Sequence, residues 1–339
     1  MSKIALFGAA GAIGQSIATA LAAQGRPYRV VGRGEASLRR AFGADPLAEI
    51  VTWNPDSPES AKAAATGIDT LVYLVGVNYW QFELHPELMH KTLAGAIAAG
   101  VRNIVLIGTV YPYGRAGTNP VREDHPREPH TFKGRMRKAQ EDVLMQAHAE
   151  GRINATVLRL PDFYGPGVEA SLLHGAAQAA VRGGTAALVG PIDRPHEFAF
   201  VPDVGPVVAK LADTPAAYGR IWHLAGAGVT SQRDLLAEME RQSGTTIKRR
   251  IAGKTTLRVL GLFNRFMREL VEMNYLMTEP LIMDDSALQR LIGPIRKTSY
   301  AEGIRQTLAA IEPQGSGIPS DRAEPLPEAE TPAAIRGNS

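Results

Sequence analysis

Short apolar runs alternate with longer Ala-rich stretches over the first 160 residues of the chain. The runs are rich in β-branched residues, and the stretches between them have helical spacing, which is typical of strands that alternate with helices. The predicted strands are 4–7, 28–31, 50–52, 70–75, 103–107 and 156–160. This order predicts right-handed βαβ units, and therefore an α/β fold whose doubly wound parallel sheet is covered by helices on both faces.

The pattern becomes less regular after residue 167. We predict helices near 172–182, 203–211 and 231–243, a strand at 221–224, and a loop at 162–167. Residues from about 313 are rich in Pro, Glu, Gly and Ser, a composition that cannot bury enough apolar surface to offset the entropy of ordering. The predicted organisation is therefore a nucleotide-binding domain (mainly 1–167), a smaller substrate-binding lobe interleaved with the sheet (168–312), and a disordered tail (313–339).

Composition excludes several classes of protein. The 339 residues contain no Cys, which rules out disulfides, thiolate nucleophiles and Cys-ligated zinc and favours a cytoplasmic location. A net charge of +3 gives no reason to expect a nucleic-acid partner. The apolar segment 257–277 carries five charged residues, too many for a membrane span. The histidines show no metal-ligand spacing, so we predict no metal site. We also predict no membrane partner, a small-molecule substrate and a possible homodimer.

A glycine-rich turn follows the first predicted strand and opens the first helix. The turn consists of Gly8, Ala9, Ala10, Gly11, Ala12, Ile13 and Gly14. Glycines in this context permit a tight turn and let a pyrophosphate approach the N–H groups of a helix N-terminus. The turn predicts dinucleotide binding in a Rossmann-type fold, with close helix packing as the alternative role of the glycines.

The spacing Gly-x-x-Gly-x-x-Gly resembles that of the extended and atypical branches of the short-chain dehydrogenase/reductase superfamily. In this resemblance Arg33 follows the second strand where NAD-selective relatives place an acidic residue, and Ser37 follows it. A guanidinium can grip a ribose 2′-phosphate, whereas a carboxylate would repel it, so we expect NADP rather than NAD. The alternative is that the arginines of this stretch, Arg39 and Arg40 especially, are only solvated at the start of a helix.

The same resemblance assigns other cofactor contacts. It places Asp56 near the adenine, although Asp56 could instead cap the following helix, and it brings residues Val75, Gly76 and Val77 beside the adenine ribose. The segment 159–167 resembles the Arg-Pro-x-x-x-Tyr-Gly-Pro-Gly stretch of extended members. Pro161 and Phe163 would then border the nicotinamide, and Tyr164 would line the substrate pocket or simply pack in a turn.

The expected catalytic pattern is only half present. Segment 108–114 resembles the family's Ser-Ser-x-x-Val-Tyr-Gly, which implies that Thr109 polarises a carbonyl, with a strand-end hydrogen bond as the alternative. Where the family has Tyr-x-x-x-Lys, this chain has Lys133 and Arg137. That stretch resembles isoflavone, pinoresinol-lariciresinol and phenylcoumaran benzylic ether reductases, in which a lysine is the proposed acid/base.

Helical spacing puts Lys133 and Arg137 on one stripe, one turn apart. A nearby cation and partial burial favour the neutral form of a lysine, which suits proton transfer. The alternative is a solvated basic helix face that also contains Arg135 and Lys138. Aromatic residues, Tyr79 and Tyr111 among them, are expected at the substrate.

These features predict an NADP-dependent oxidoreductase, more precisely a reductase of a small aromatic or apolar carbonyl or ether-like compound. Lys133 would supply the proton, Thr109 a hydroxyl contact, and the cofactor the hydride. Two alternatives remain: a nucleotide-sugar epimerase or dehydratase, and a non-catalytic NADP-binding sensor.

Overall fold

The structure is a computed structural model that describes residues 3–311, so the predicted tail at 313–339 lies outside the described residues. Its strands are β1 (Ile4–Phe7), β2 (Tyr28–Gly32), β3 (Ala48–Thr52), β4 (Thr70–Tyr73), β5 (Asn103–Thr109), β6 (Asn154–Leu160), β7 (Asp162–Tyr164), β8 (Thr185–Val189), β9 (Phe198–Phe200), β10 (Ile221–His223) and β11 (Lys248–Ala252). Its helices are α1 (Ala12–Ala23), α2 (Glu35–Phe42), α3 (Pro58–Ala65), α4 (Leu84–Ala98), α5 (Phe132–Ala149), α6 (His174–Arg182), α7 (Val201–Ala212), α8 (Gln232–Ser243), α9 (Lys254–Leu260), α10 (Arg265–Met273), α11 (Tyr275–Thr278), α12 (Ser286–Ile292) and α13 (Tyr300–Ala309).

Seven strands form the main sheet in the order β10-β6-β5-β4-β1-β2-β3, and every pairing is parallel. The predicted α/β fold with a doubly wound parallel sheet is therefore confirmed. The order reverses between β1 and β4, so the carboxyl ends of these two strands open a crevice of the kind that binds ligands in such sheets.

Strands β3, β5 and β6 are each two residues longer than predicted, and two further local predictions were wrong. Strand β4 ends at Tyr73, two residues earlier than predicted. The Leu74 N–H still donates to the Phe7 carbonyl oxygen at 2.8 Å, and the chain leaves the sheet after this residue. Residues 162–164, predicted as loop, form strand β7, which pairs in parallel with β9. A three-residue strand carries too little periodicity to be recognised in a sequence.

Elements of the two halves of the chain pack together. Strand β10 comes from the second half and completes the main sheet beside β6. Helix α7, also from the second half, packs on α1: a Cβ on Gly205 would meet the Ser16 carbonyl oxygen at 2.1 Å, and the Ser16 hydroxyl donates to the Val201 carbonyl oxygen at 2.7 Å. The cofactor side of the molecule is thus held in place by residues of both halves.

The second lobe has its own apolar core, which is built by α6, α8, α13 and the strand β8. The segment 254–278 follows β11 and forms the short helices α9, α10 and α11 rather than one long helix. Within residues 3–311, none of the helices has the length and apolar character needed to cross a membrane.

Candidate active site

The glycine turn sits where the structure brings β1, β4 and α1 together. Gly8 has a φ of +86°, and a Cβ there would lie 2.9 Å from the backbone nitrogen of Val75. A Cβ on Gly14 would lie 2.1 Å from the Ala9 carbonyl oxygen. Both positions therefore require glycine, one for its backbone conformation and one for close packing of the turn against its own helix.

The first turn of α1 is available to an anion. Among the described residues, no side chain caps this helix at Gly11, and the turn contains no acidic residue. A Cβ on Gly11 would meet nothing within 4 Å, so the backbone is open on that side. The N–H groups of Ala12, Ile13 and Gly14 and the helix dipole together suit a pyrophosphate. The residues present fit a dinucleotide.

Arg33, which the resemblance places at the adenosine, follows β2 and is exposed. Arg39, by contrast, forms an ion pair with Glu35 at 2.6 Å on the surface of α2. Arg39 therefore has the surface role that was the alternative for the arginines of this stretch. Arg33 remains available to bind a cofactor phosphate. The Ser37 hydroxyl donates to the Gly34 carbonyl oxygen at 2.8 Å.

Asp56 does not cap α3. The capping residue is Ser57, whose hydroxyl oxygen accepts from the Ser60 N–H at 3.1 Å. The Asp56 carboxylate is exposed and instead pairs with Lys91 at 3.1 Å. The capping alternative for Asp56 was therefore wrong, and a contact with adenine stays a prediction.

The other predicted cofactor residues follow the strands that end at the crevice. Val75, Gly76 and Val77 come after β4, with Val75 next to Gly8. Pro161 is buried directly after β6, and Phe163 is half-buried in β7. Between them, the Asp162 carboxylate lies 2.8 Å from His196 Nε2. A dinucleotide that crosses the strand ends would pass these positions, and their contacts with the cofactor stay predictions.

Thr109 ends β5 and leads into the turn that contains Tyr111. Its hydroxyl oxygen accepts from the Tyr111 N–H at 3.4 Å. This turn packs on the start of α5, because a Cβ on Gly134 would lie 2.8 Å from the Tyr111 carbonyl oxygen. A third glycine-dependent contact, at Gly134, therefore holds Tyr111 against the helix that carries Lys133.

Lys133 is the central cation of the site. It is only 1% exposed, so the solvated basic face is the wrong interpretation for this residue. Its ammonium forms ion pairs with Glu269 and with Glu272, the latter at 3.0 Å, and its backbone N–H donates to Glu272 at 3.1 Å. The ammonium also lies 5.0 Å from the centre of the Tyr79 ring. A helix of the second lobe, α10, thus closes over the lysine.

Two tyrosines border this cation. The hydroxyl groups of Tyr79 and Tyr111 lie 3.4 Å apart. Burial, followed by the nearby Asp162 carboxylate, raises the pKa of Tyr111 to about 12, and burial raises the pKa of Tyr79 well above its ordinary value. Both side chains are therefore neutral phenols at physiological pH. They can donate hydrogen bonds to a substrate but do not replace the missing catalytic tyrosine as a base.

Arg137 lies one turn after Lys133 and is buried, but its guanidinium points elsewhere. It is 3.3 Å from His85 Nδ1 and donates to the Ile107 carbonyl oxygen at 3.1 Å. Burial and the guanidinium lower the pKa of His85 to about 2, so His85 is neutral and its Nδ1 can accept. Arg137 is therefore not the charged neighbour of the Lys133 ammonium, as was expected. Two carboxylates, those of Glu269 and Glu272, pair with the ammonium instead. The structure gives Arg137 a role in anchoring α5 to β5.

Tyr164 belongs to the core of the second lobe. It is 1% exposed and packs against the rings of Phe198, Phe200 and Tyr300. A Cβ on Gly303 would lie 2.2 Å from its hydroxyl oxygen, so α13 covers it closely. The structure therefore favours the packing role for Tyr164 over a place in the substrate pocket.

Below the site lies a second buried ion pair. Arg159 of β6 and Glu141 of α5 are 0% and 2% exposed and form a two-point interaction, Nε to Oε1 at 3.0 Å and Nη2 to Oε2. The guanidinium also stacks on Tyr113 at 4.2 Å, and the Tyr113 hydroxyl lies 2.5 Å from His223 Nε2. This network ties α5 to the sheet.

Sequence reasoning missed the two carboxylates on α10. Glu269 and Glu272 stand three residues apart, which places them on one face of a helix, but nothing local indicates that the face meets Lys133. Two clefts were also not predicted, one of about 720 Å³ and one of about 410 Å³; Arg115 lines both, and Lys133 lines neither. The smaller cleft also contains Lys254, Tyr275 and Glu279. In the part of the chain that is described, no group of His, Asp and Glu could hold a metal ion.

Comparison with known proteins agrees with this geometry. Residues 4–225 match the sequence model of the NAD dependent epimerase/dehydratase family. The chain is similar to dTDP-6-deoxy-L-talose 4-dehydrogenase (NAD(P)(+)) of Kitasatospora kifunensis, with 29% identity over 199 residues, which are 55% of this chain and 60% of that protein. The chain therefore matches less than two thirds of the length of this relative.

Solved structures share the fold. DesIV, a dTDP-glucose 4,6-dehydratase from Streptomyces venezuelae solved with NAD and TYD bound, has a TM-score of 0.76 and 19% identity over 91% of this chain and 96% of its own. UDP-glucuronic acid 4-epimerase from Bacillus cereus, in complex with NAD, has a TM-score of 0.74 and 15% identity over 91% of this chain and 98% of its own.

The chain belongs to the NAD dependent epimerase/dehydratase family, because the match covers more than half of its length. This confirms the predicted relation to the extended short-chain dehydrogenase/reductase superfamily and the prediction of an NAD(P)-binding oxidoreductase of that type.

Proposed function

We propose that this enzyme oxidises or reduces one carbon of a nucleotide-activated sugar, with Lys133 as the proton carrier. The family match and the dTDP-sugar relative support this substrate class over the aromatic or apolar compounds expected from the lysine motif. The observation that carries the mechanism is the buried Lys133 ammonium, held at the start of α5 between Tyr79 and two carboxylates.

Two clefts that carry cationic side chains suit the anionic part of such a substrate. Arg115 lines both of them, and Lys254 lines the smaller one, so a diphosphate would find two cations there. Arg115 pairs with Glu279 in the structure, and a diphosphate would compete with that carboxylate.

The protein's own part in the reaction is proton transfer and positioning. A bound nicotinamide supplies or accepts the hydride. In reduction, the Lys133 ammonium donates a proton to the carbonyl oxygen as the hydride reaches the carbon; in oxidation, the hydroxyl proton returns to Lys133 as the hydride leaves. Glu269 and Glu272 are about a quarter exposed, so they can exchange protons between Lys133 and solvent. Tyr79 and Tyr111 hold the substrate oxygen by donating hydrogen bonds.

The test is turnover measured by absorbance of the reduced nicotinamide, with dTDP- and UDP-sugars and their 4-keto forms beside a panel of aromatic ketones. We expect turnover of a sugar nucleotide and a loss of about 10²- to 10⁴-fold in Lys133→Met. Lys138→Met is the matched control, because Lys138 lies on the same helix and pairs only with Asp142 among the described residues. Turnover of aromatic ketones alone would contradict the substrate class, and an equal loss in both variants would contradict the role of Lys133.

We further propose that NADP is preferred over NAD, with Arg33 binding the 2′-phosphate. Arg33 is exposed at the end of β2, and no ion pair engages it within residues 3–311, whereas Arg39 is already paired with Glu35. Arg33→Ala should weaken NADPH binding by about tenfold or more and leave NADH binding unchanged, since one charge-assisted contact is lost. Fluorescence titration checks this. Arg39→Ala should change neither affinity, and equal NADPH affinity in wild type and Arg33→Ala would refute the assignment.

A further inference from the structure

The turn between α9 and α10 exposes a group of large apolar side chains. Leu262 and Phe263 are 78% and 89% exposed, more than any other large apolar residue in the described part of the chain. Together with their exposed neighbours they form what we call the apolar tip. Its members are Val259, Leu260, Leu262, Phe263 and Phe266. Single exposed apolar residues are ordinary, but five within eight positions indicate a contact surface.

The chain around the apolar tip is strongly cationic. Residues 245–268 contain seven Lys or Arg and no Asp or Glu. The seven are Lys248, Arg249, Arg250, Lys254, Arg258, Arg265 and Arg268. The whole chain has a net charge of only +3, so the remainder of the molecule is net acidic. The positive charge is therefore concentrated in the segment that carries the apolar tip, which the total charge conceals.

The orientation of α10 is fixed by the active site. Its Glu269 and Glu272 face inward and pair with the Lys133 ammonium. Arg265 stacks 5.3 Å from the Trp80 ring, and the Phe266 ring lies 5.6 Å from that of Tyr79. Because the acidic face of the helix is used internally, the surface left outside at this end of the lobe is apolar and cationic.

We propose that the apolar tip and its cations bind the surface of an anionic lipid bilayer. Apolar side chains surrounded by Lys and Arg are the composition of interfacial, rather than membrane-spanning, elements. A spanning role is not available, since no helix of residues 3–311 is suited to it. A nucleic acid would use the cations but leave Leu262 and Phe263 in water. This proposal departs from the expectation of no membrane partner, which followed from the five charged residues that make segment 257–277 unsuitable as a membrane span.

The test is flotation of the full-length protein with vesicles of phosphatidylcholine alone or with roughly one third phosphatidylserine. We expect binding to the anionic vesicles only, and weaker binding as salt rises from about 0.1 M to about 0.5 M. The double variant Leu262→Ser/Phe263→Ser should lose at least about tenfold in affinity, because its apolar contacts with lipid are removed. Arg249→Gln/Arg250→Gln should lower affinity for anionic vesicles as well. Neither variant alters a residue assigned to the active site.

Val229→Ser is the matched control, because Val229 is 60% exposed elsewhere in the second lobe and should not affect flotation. Three outcomes would overturn the proposal: no binding to anionic vesicles, equal binding by Leu262→Ser/Phe263→Ser, or tight binding to a short RNA or DNA duplex in place of vesicles. A wild-type dimer that the same double variant converts to a monomer would also overturn it, by assigning the tip to a second copy. Flotation needs no turnover, so this result is independent of the proposed reaction.

Discussion

Two buried cation–carboxylate sites lie on the same helix, eight residues apart, and their surroundings differ. Glu141 of α5 meets Arg159 of β6, and both are almost fully buried. Lys133, also on α5, meets Glu269 and Glu272, which are 24% and 25% exposed. The first pair joins α5 to the neighbouring strand β6 of the main sheet. The second joins the two lobes, because α10 belongs to the second lobe.

The difference separates a framework contact from a contact that can open. Opening the Arg159 pair would leave a guanidinium in a closed core, because β6 and α5 cannot move apart without breaking the sheet layer. The carboxylates that hold Lys133 can return to water by a movement of α10 alone. The proposed proton transfer by Lys133 requires such an opening, because Lys133 is 1% exposed in the structure.

The largest predicted effect is on the framework pair. Glu141→Gln removes the carboxylate and leaves the Arg159 guanidinium buried without a counter-charge, so the free energy of unfolding should fall by about 3–5 kcal/mol. Urea denaturation measures this change. Asp142→Asn is the matched control: the neighbouring carboxylate is 40% exposed and pairs with Arg127 at 2.8 Å, and its loss should cost under about 1 kcal/mol. Similar losses in both variants would show that burial does not distinguish the two carboxylates.

Another buried carboxylate, Glu197, extends the comparison because its hydrogen bonds come from backbone groups rather than from a cation. It is 2% exposed and accepts from the Met283 N–H at 2.8 Å and the Gly226 N–H at 3.3 Å. Burial raises its pKa from 4.5 to about 7. The folded protein therefore holds a proton on Glu197 that the unfolded chain loses above pH 4.5. Its contribution to stability is complete below that pH and is lost as pH rises toward 7.

Glu197→Gln tests this directly. The free energy of unfolding of wild type minus that of the variant should fall as pH rises from about 5 to about 7, by at most roughly 1.4 kcal/mol per pH unit, and should then level off. Urea denaturation across that range measures the difference. Taking the difference cancels the other titrating groups that the two proteins share. A difference that stays constant with pH would mean that Glu197 is ionised in the folded state throughout.

Local patterns account for the parts of the molecule that the sequence could predict. The strand periodicity and the turn from Gly8 to Gly14 depend on neighbours within a few residues, and the sheet and the nucleotide crevice follow from them. The stripe of Lys133 and Arg137 was also predictable, since helical spacing alone defines it.

Contacts between distant segments could not be predicted in this way. Glu269 and Glu272 reach Lys133 from more than 130 residues away, and α10 lies in the segment with the least regular pattern. Tyr164 was assigned to the substrate on a motif, but its environment depends on Gly303 of α13, which leaves room for its hydroxyl group. A motif indicates the type of residue in a site, and the packing of the second lobe decides which of these residues a substrate can reach.

Of the two cation–carboxylate sites on α5, the contact that can open should have the smaller effect on stability. Glu269→Gln/Glu272→Gln removes both carboxylates from Lys133, but we expect the free energy of unfolding to fall by only about 1–2 kcal/mol, because α10 can move and let water reach the ammonium. Hydrogen exchange should accordingly accelerate in residues 265–273 while α5 and the sheet stay protected. A loss as large as that in Glu141→Gln, with faster exchange throughout the sheet, would mean that α10 is part of the rigid framework. The substrate would then have to reach Lys133 by a route other than a movement of this helix.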